Sequence, residues 1–258
     1  MKLLQALTLI DIQARASLKA EASKMYLSYF WWVLEPILFV SVFHLVFSFL
    51  LNRGTDQFVF FLMCGQIPYL WFSKSVITAS GSILQNRGLI ASIRIPKVIF
   101  PYTAIQEVLY KQWVVILMLF LIAIYFGSYP DVKWFWLVPL ILTTYLMLVA
   151  CSLIASLLVT FVQDFRILIN MAMILLMFSS GIFWDINDIN NEFWREVILI
   201  VNPLAFLIDA YRLVLIHDST VDVMHLCSLI LFFSVVIFFV HLLFSKLNSK
   251  LTQLALQS

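Results

Sequence analysis

Few residues of this chain have the type and spacing to carry chemistry, and most enzyme signatures are missing from it. The four histidines, His44, His217, His225 and His241, are scattered, and none stands one helical turn from another, as two imidazoles sharing a metal ion on a helix would. No glycine-rich loop ending in Lys and Ser or Thr occurs, so the chain has no P-loop route to ATP hydrolysis of its own. Cys64, Cys151 and Cys227 all lie inside apolar stretches and are odd in number, which fits buried structural thiols rather than a disulfide framework or a zinc site. Ser80–Gly81 and Ser180–Gly181 would suit a serine nucleophile. Small residues in apolar helices serve packing far more often. No catalytic residue and no metal ligand is assigned.

Three other groups are better placed to transmit force or guide a ligand. Residues 85–97 hold Asn86, Arg87, Gly88, Leu89, Ile90, Ile93 and Arg94 ahead of Pro96. Leu89 and Ile93 lie one turn apart between two arginines, which predicts a short amphipathic helix stopped by the proline. Such a helix either fills a groove on a soluble partner or rests on a bilayer with its cations on lipid phosphates. A second group is charged: Glu35 before Pro36, Lys74, and Glu107 with Lys111 at i,i+4, all within or at the edge of apolar runs. Charges there face partners or a water-filled path. Glu107–Lys111 is equally read as a helix-stabilising pair, and Lys74 as a snorkelling side chain. The third group is aromatic. Tyr26, Tyr29, Trp31 and Trp32 cluster before the first long apolar run, and Tyr69, Trp71 and Phe72 mark the second. Aromatic faces stack on sugar C–H surfaces without demanding one hydroxyl pattern, so these seven are candidates for lining a channel or its access. Interface anchoring and helix packing is the plainer reading for each taken singly.

The elements that would position these groups follow from composition. In 258 residues, 63% belong to the AVILMFWYC set and 12% are Asp, Glu, Lys or Arg. Soluble domains carry roughly 45–50% and about 25%. Too little charge remains to coat a globule, so the chain is read as an all-α integral membrane protein. Six apolar segments, near 31–51, 58–80, 102–126, 134–160, 165–183 and 226–245, each approach the ~20 residues that a spanning helix needs. Residues 3–27 have helical spacing, with Leu3, Leu7, Ile10, Ala14 and Leu18 on one face, but are too often interrupted to span, which predicts an amphipathic helix in the interface. The first residues lack the basic start and cleavage site of a leader and read as retained structure.

Placing the N-terminus inside puts Lys2, Arg15, Lys19, Lys24, Arg87, Arg94, Lys97, Arg166, Lys246 and Lys250 on the cytoplasmic side. Arg53, Lys133, Arg195 and Arg212 fall outside. That asymmetry predicts both termini in the cytoplasm. Residues 185–225 resemble a seventh span, but Asn202–Pro203 breaks them, and a crossing would bury Asp209 and Arg212 and move Lys246 and Lys250 outside. Two short helices dipping from the outer face avoid all three conflicts. No repeat, low-complexity tract or linker divides residues 1–258, which read as one domain.

In this order the features resemble the membrane subunits of type-2 ABC exporters that carry polysaccharides, along nearly the whole chain. Lys24-Met-Tyr-Leu-Ser-Tyr-Phe-Trp-Trp-Val-Leu-Glu-Pro36 is similar to the family's basic-aromatic lead into its first span. Phe61 to Ser73, with Gly65 and Pro68, is similar to its second span; Asn86 to Pro101 to its coupling segment; and Asn202 to Arg212 to its external re-entrant element. The resemblance implies a multi-pass protein of a bacterial cytoplasmic membrane, working as a homodimer. Two copies of a P-loop ATPase would bind the ATP and magnesium, with no cofactor in this chain and no nucleic acid as partner. It implies residues 86–95 as the coupling helix and residues 3–27 as the interface helix against membrane lipid. It also implies Trp184, Asn202, Pro203, Asp209, Tyr211 and Arg212 as an external gate. The cargo would be a lipid-linked polysaccharide, O-antigen first and capsule next, with teichoic acid also in range. A type-2 ABC permease for a drug or lipid is the alternative. A membrane-embedded enzyme would need convergent polar residues, of which the sequence offers few.

Overall fold

The computed structural model describes residues 3–24, 30–31, 34–35, 37–38, 41–42, 45–46, 56–93 and 95–257, and regular structure among them is helical throughout. Tyr26, Tyr29, Trp32 and Arg94 lie outside the described residues, as does most of the expected first span. In chain order the helices are α1 (Leu3–Lys24), α2 (Asp56–Ser80), α3 (Ser82–Gln85), α4 (Arg87–Ser92) and α5 (Ile99–Tyr125). There follow α6 (Leu137–Phe161), α7 (Phe165–Ser179), α8 (Glu192–Val201), α9 (Pro203–Leu215) and α10 (Val223–Gln257).

Among the described residues three helices are long and apolar enough to cross a membrane: α5, α6 with the 3-10 turn before it (Val132–Phe161), and α10, with the bent pair α8–α9 a fourth if it is one span. The first three fall on three of the six expected spans. The segment expected near 58–80 is the 25-residue α2, helical through Pro68. Its apolar character is diluted by Gln66, Ser73, Lys74 and Ser75. The segment expected near 165–183 is shorter than the sequence suggests. α7 has 15 residues, about 22 Å at helical rise, and stops before Gly181, whose φ of +73° starts a left-handed turn that residues with a Cβ rarely adopt. The broken region near 202 is helical on both sides, and α8 meets α9 at 107°.

α2 is the central element, packed on α5, α6, α7 and α9. Ser75 and Ala79 on α2 and Ala150, Ser152, Ala155 and Ser156 on α6, the helix with which α2 packs most extensively, are small side chains and all nearly inaccessible. In lipid no hydrophobic force pulls helices together, so close backbone approach through small residues and hydrogen bonds between helices must do it. The Gln112 side-chain amide on α5 donates to the Ile67 carbonyl beside Pro68 at 3.2 Å, and the Tyr69 hydroxyl donates to the Met173 carbonyl of α7 at 2.9 Å.

α1 lies across the start of α5. Ala14 and Leu18 are buried as their spacing predicts, whereas Leu7, expected on the same face, is exposed. Polar contacts hold the crossing. The Tyr110 hydroxyl donates to Asp11, and Lys111 Nζ lies 2.5 Å from Glu21 Oε2. Tyr110 and then Arg15, 3.1 Å away, hold the Asp11 carboxyl below its ordinary range. Glu21→Gln and Lys111→Met, measured singly and together by thermal unfolding in detergent, should be non-additive by about 0.5 kcal/mol, and less at high salt. Additive effects would mean that the pair does not fasten α1.

Candidate functional site

The expected external gate is brought together around two side chains, Asn202 and Arg212. Asn191 caps α8 by accepting from the Phe193 and Trp194 amides. α8 ends at Asn202, whose side-chain oxygen accepts from the Leu204 and Ala205 amides at 3.1 and 3.2 Å and so starts α9, with Pro203 in the first turn where its missing N–H costs nothing. The elbow is thus a local stop-and-start signal. The other end of the same side chain, Nδ2, donates to Ser180 Oγ at 2.9 Å and ties the elbow to the end of α7. The Ser180–Gly181 pair is turn architecture, with its hydroxyl used as an acceptor.

α8 and α9 differ in exposure. No residue of α8 is buried, and Phe193, Trp194, Ile200 and Val201 present an open apolar surface. α9 is buried along nearly its whole length. Arg212 on α9 is 1% exposed. Its Nη1 donates to the Gly181 carbonyl at 2.6 Å and its Nη2 to the Ile182 carbonyl at 2.8 Å. Nη2 and Nε also reach the Phe61 carbonyl at 3.3 and 3.4 Å, and the guanidinium carbon lies 3.5 Å from the Phe61 ring centre. One cation therefore satisfies the carbonyls of the turn after α7 and binds that turn to α2. Gly65 makes the room, since a Cβ there would stand 2.9 Å from Arg212 Nη2. Around this centre Trp184 Nε1 donates to the Phe178 carbonyl, Asp209 accepts from Asn187, and the Tyr211 hydroxyl meets Thr144 at 3.2 Å. Gly65 and Phe61 were not singled out in the sequence as partners of this arginine. A lone glycine among bulky residues was the available signal.

The expected coupling segment is a six-residue helix, α4, followed by extended backbone at Ile93. Ile90 is buried and points back to the bundle, Leu89 is half-buried, and Arg87, Gly88, Ala91, Ser92 and Ile93 are exposed. Leu89 and Ile93 therefore do not form one helical stripe, because the helix ends between them. Both ends are fastened. Asn86 Nδ2 donates to the Ser82 carbonyl at 2.7 Å, and its Oδ1 receives Gln13 Nε2 of α1 at 3.5 Å. Beyond Pro96, the Lys97 amide donates to Asn248 Oδ1 of α10 at 3.0 Å.

The intramembrane charges find partners. Lys74 Nζ lies 2.5 Å from Glu35 Oε2, and Lys111 joins Glu21 as well as Glu107, the latter at 3.7 Å. The aromatics divide. Tyr69, Trp71 and Phe72 are buried within the chain, where Trp71 packs near Tyr145 and Tyr69 ties α2 to α7, while Trp31 is exposed. Among the described residues no group of three or more His, Cys, Asp or Glu side chains could hold a metal ion.

Comparison with known proteins bears on what this arrangement serves. A family model described as ABC-2 type transporter matches residues 12–216. O-antigen export system permease protein RfbA of Myxococcus xanthus is 26% identical over 214 residues, 82% of each chain. A protein of the same name from Klebsiella pneumoniae is 24% identical over 208 residues, 79% of this chain and 78% of its own. Polysialic acid transport protein KpsM of Escherichia coli is 26% identical over 215 residues, 81% of this chain and 79% of its own.

Removing the Arg212 guanidinium strands several carbonyls in the interior. Arg212→Met should cost about 3 kcal/mol, read as a lower melting temperature in detergent. Gly65→Val should also destabilise by displacing the same group. Wild-type melting of both variants would mean that the cation does not organise the turn.

Proposed function

The chain belongs to the ABC-2 type transporter family, as a multi-pass membrane transport subunit, and we propose that it is the permease through which an ATP-driven exporter moves a lipid-linked polysaccharide out of the cytoplasm. The names of the relatives suggest the cargo class, with O-antigen ahead of capsular polymer because two of the three relatives above are O-antigen permeases. In this reading the chain crosses a bacterial inner membrane six times with both termini in the cytoplasm. α1 lies in the interface, α4 faces the cytoplasm and α8–α9 dip from the outer face. Two copies form the path, and two ATPase chains dock below. Nucleotide and magnesium belong to those ATPases.

The observation that carries this reading is α4. A six-residue helix with an exposed outer face, anchored by Ile90 and pinned at both ends, has more fastening than a helix resting on lipid needs. It suits a part that must pass a displacement from a soluble partner into α2, α5 and α10. At the other end the buried α9 and its apolar companion α8 suit a closure near the outer surface, supported by Asn202, Pro203, Asp209, Tyr211, Arg212 and Trp184. Lys74 with Glu35, and Lys111 with Glu107, serve as neutralised pairs along the bundle. Trp31, which is exposed, is in this reading an aromatic that meets cargo, with Tyr26, Tyr29 and Trp32 as its sequence neighbours.

Gly88 offers a clean test, because a Cβ there would meet nothing within 4 Å. Gly88→Arg should leave the fold intact and favour the helix by about 1 kcal/mol. Combined with Ile93→Asp, it should reduce ATPase co-purification about tenfold or more. Undiminished ATPase recovery with a folded membrane chain would assign α4 to the lipid surface. For the cargo, disrupting the gene should leave polymer trapped in the cytoplasm. Normal surface glycan in that strain would reject polysaccharide export and leave a drug or lipid as cargo.

A further inference from the structure

Lys97 stands apart from the other described lysines as the buried one. It is 3% exposed, and its ammonium donates to the Ile95 carbonyl at 3.0 Å. Lys74, Lys111 and Lys133 each meet a carboxylate within 2.8 Å, whereas among the described residues no carboxylate pairs with Lys97. An ammonium has three hydrogens to donate, and a buried one without an anion is poorly compensated. Burial pushes the Lys97 pKa down, as an unneutralised cation requires. The contrast with Arg212 is direct, since that buried cation spreads its donors over several carbonyls and an aromatic face.

Beside Lys97 the structure holds a cleft of about 310 Å³ between residues 96–98 and α10. Its lining includes Lys97, His241, Phe244, Ser245 and Asn248. Asn248 spends its Oδ1 on the Lys97 amide, which leaves its Nδ2 hydrogens as donors. The Ser245 hydroxyl stands at the exposed rim, and Phe244 gives the cleft an apolar wall. The residues that line it thus include hydrogen-bond donors, a lysine and an apolar ring. Its depth fits a headgroup. From Val223 to Phe244 α10 is predominantly apolar, about 33 Å at helical rise, close to the ~30 Å of a hydrocarbon core. Ser245, Lys246, Asn248, Ser249 and Lys250 follow at once.

We propose that this cleft binds the phosphate of an anionic membrane phospholipid, with Lys97 as its counter-ion, Asn248 and Ser245 as further donors, and Phe244 against the glycerol end. Basic pockets between helices on the cytoplasmic side favour anionic headgroups. The binding depends on the membrane orientation given above but not on cargo or on ATPase docking. A bound lipid would also brace the Lys97–Asn248 contact that fixes the far end of α4.

The test uses the full-length chain in nanodiscs of phosphatidylcholine with phosphatidylglycerol, with retained lipid counted by native mass spectrometry. Wild type should retain phosphatidylglycerol in preference to phosphatidylcholine. Lys97→Met should weaken that retention about tenfold, and Lys97→Arg should preserve it. Ser245→Glu, at an exposed position, should mimic the loss by placing a carboxylate in the cleft, so the outcome does not hinge on whether Lys97→Met folds. Lys246→Met with Lys250→Met should leave retention unchanged. The proposal is overturned if Lys97→Met and Ser245→Glu retain as much phosphatidylglycerol as wild type, or if the Lys246/Lys250 pair loses as much. Equal retention of phosphatidylcholine overturns it too. So does displacement by glycerol 1-phosphate at equal concentration, which would identify a site for soluble anions.

Discussion

Backbone carbonyls within a membrane protein have no bulk water to turn to, and this fold meets that constraint most sharply at Arg212. α7 ends after 15 residues, and the turn that follows it leaves carbonyls at Gly181 and Ile182 without helical partners. The guanidinium of α9 supplies the missing donors and reaches α2 through Phe61. Take that cation away and the short α7, the exposed α8 and the buried α9 lose the element that makes them one unit. Asn202 does the equivalent work at the elbow itself, serving the start of α9 and the end of α7 with one amide.

A second constraint organises the opposite end. α4 is too short to be stable alone, since a helix of six residues lacks the length over which hydrogen bonding offsets nucleation. It persists because Ile90 is packed and because Asn86 and Lys97 tie its flanks to other helices. The same ties that stabilise it make it stiff, as the coupling role proposed above requires. Stability and transmission here rest on the same bonds.

What the sequence made legible was local. Proline after asparagine broke a helix where it should, because the missing amide and the capping side chain act within a few residues. Apolar runs close to the length of a spanning helix placed α5, α6 and α10. What stayed hidden was set by tertiary partners. Nothing in the order of residues tied Arg212 to Phe61 across 151 positions or showed that Gly65 had been kept small for it. Apolar content near 165–183 suggested a full span, but the left-handed turn at Gly181 ends the helix early. Tyr69, Trp71 and Phe72 looked available to a ligand because composition does not reveal which side of a helix faces its own bundle. Lys111 was paired with Glu107 by spacing alone, whereas Glu21 as its closer partner, and Glu35 as the partner of Lys74, are distant in sequence.

The two ties on α4 go to different places, and that difference has a mechanical consequence. Asn86 is joined to α1 and to α3, whereas Lys97 is joined to α10. In the coupling role proposed above, a displacement of α4 would be divided between these two anchors. Unequal restraint at two ends of a rigid rod produces torque. In that role, movement of α4 would enter the bundle by two routes, one through α1 and α3 and one through α10.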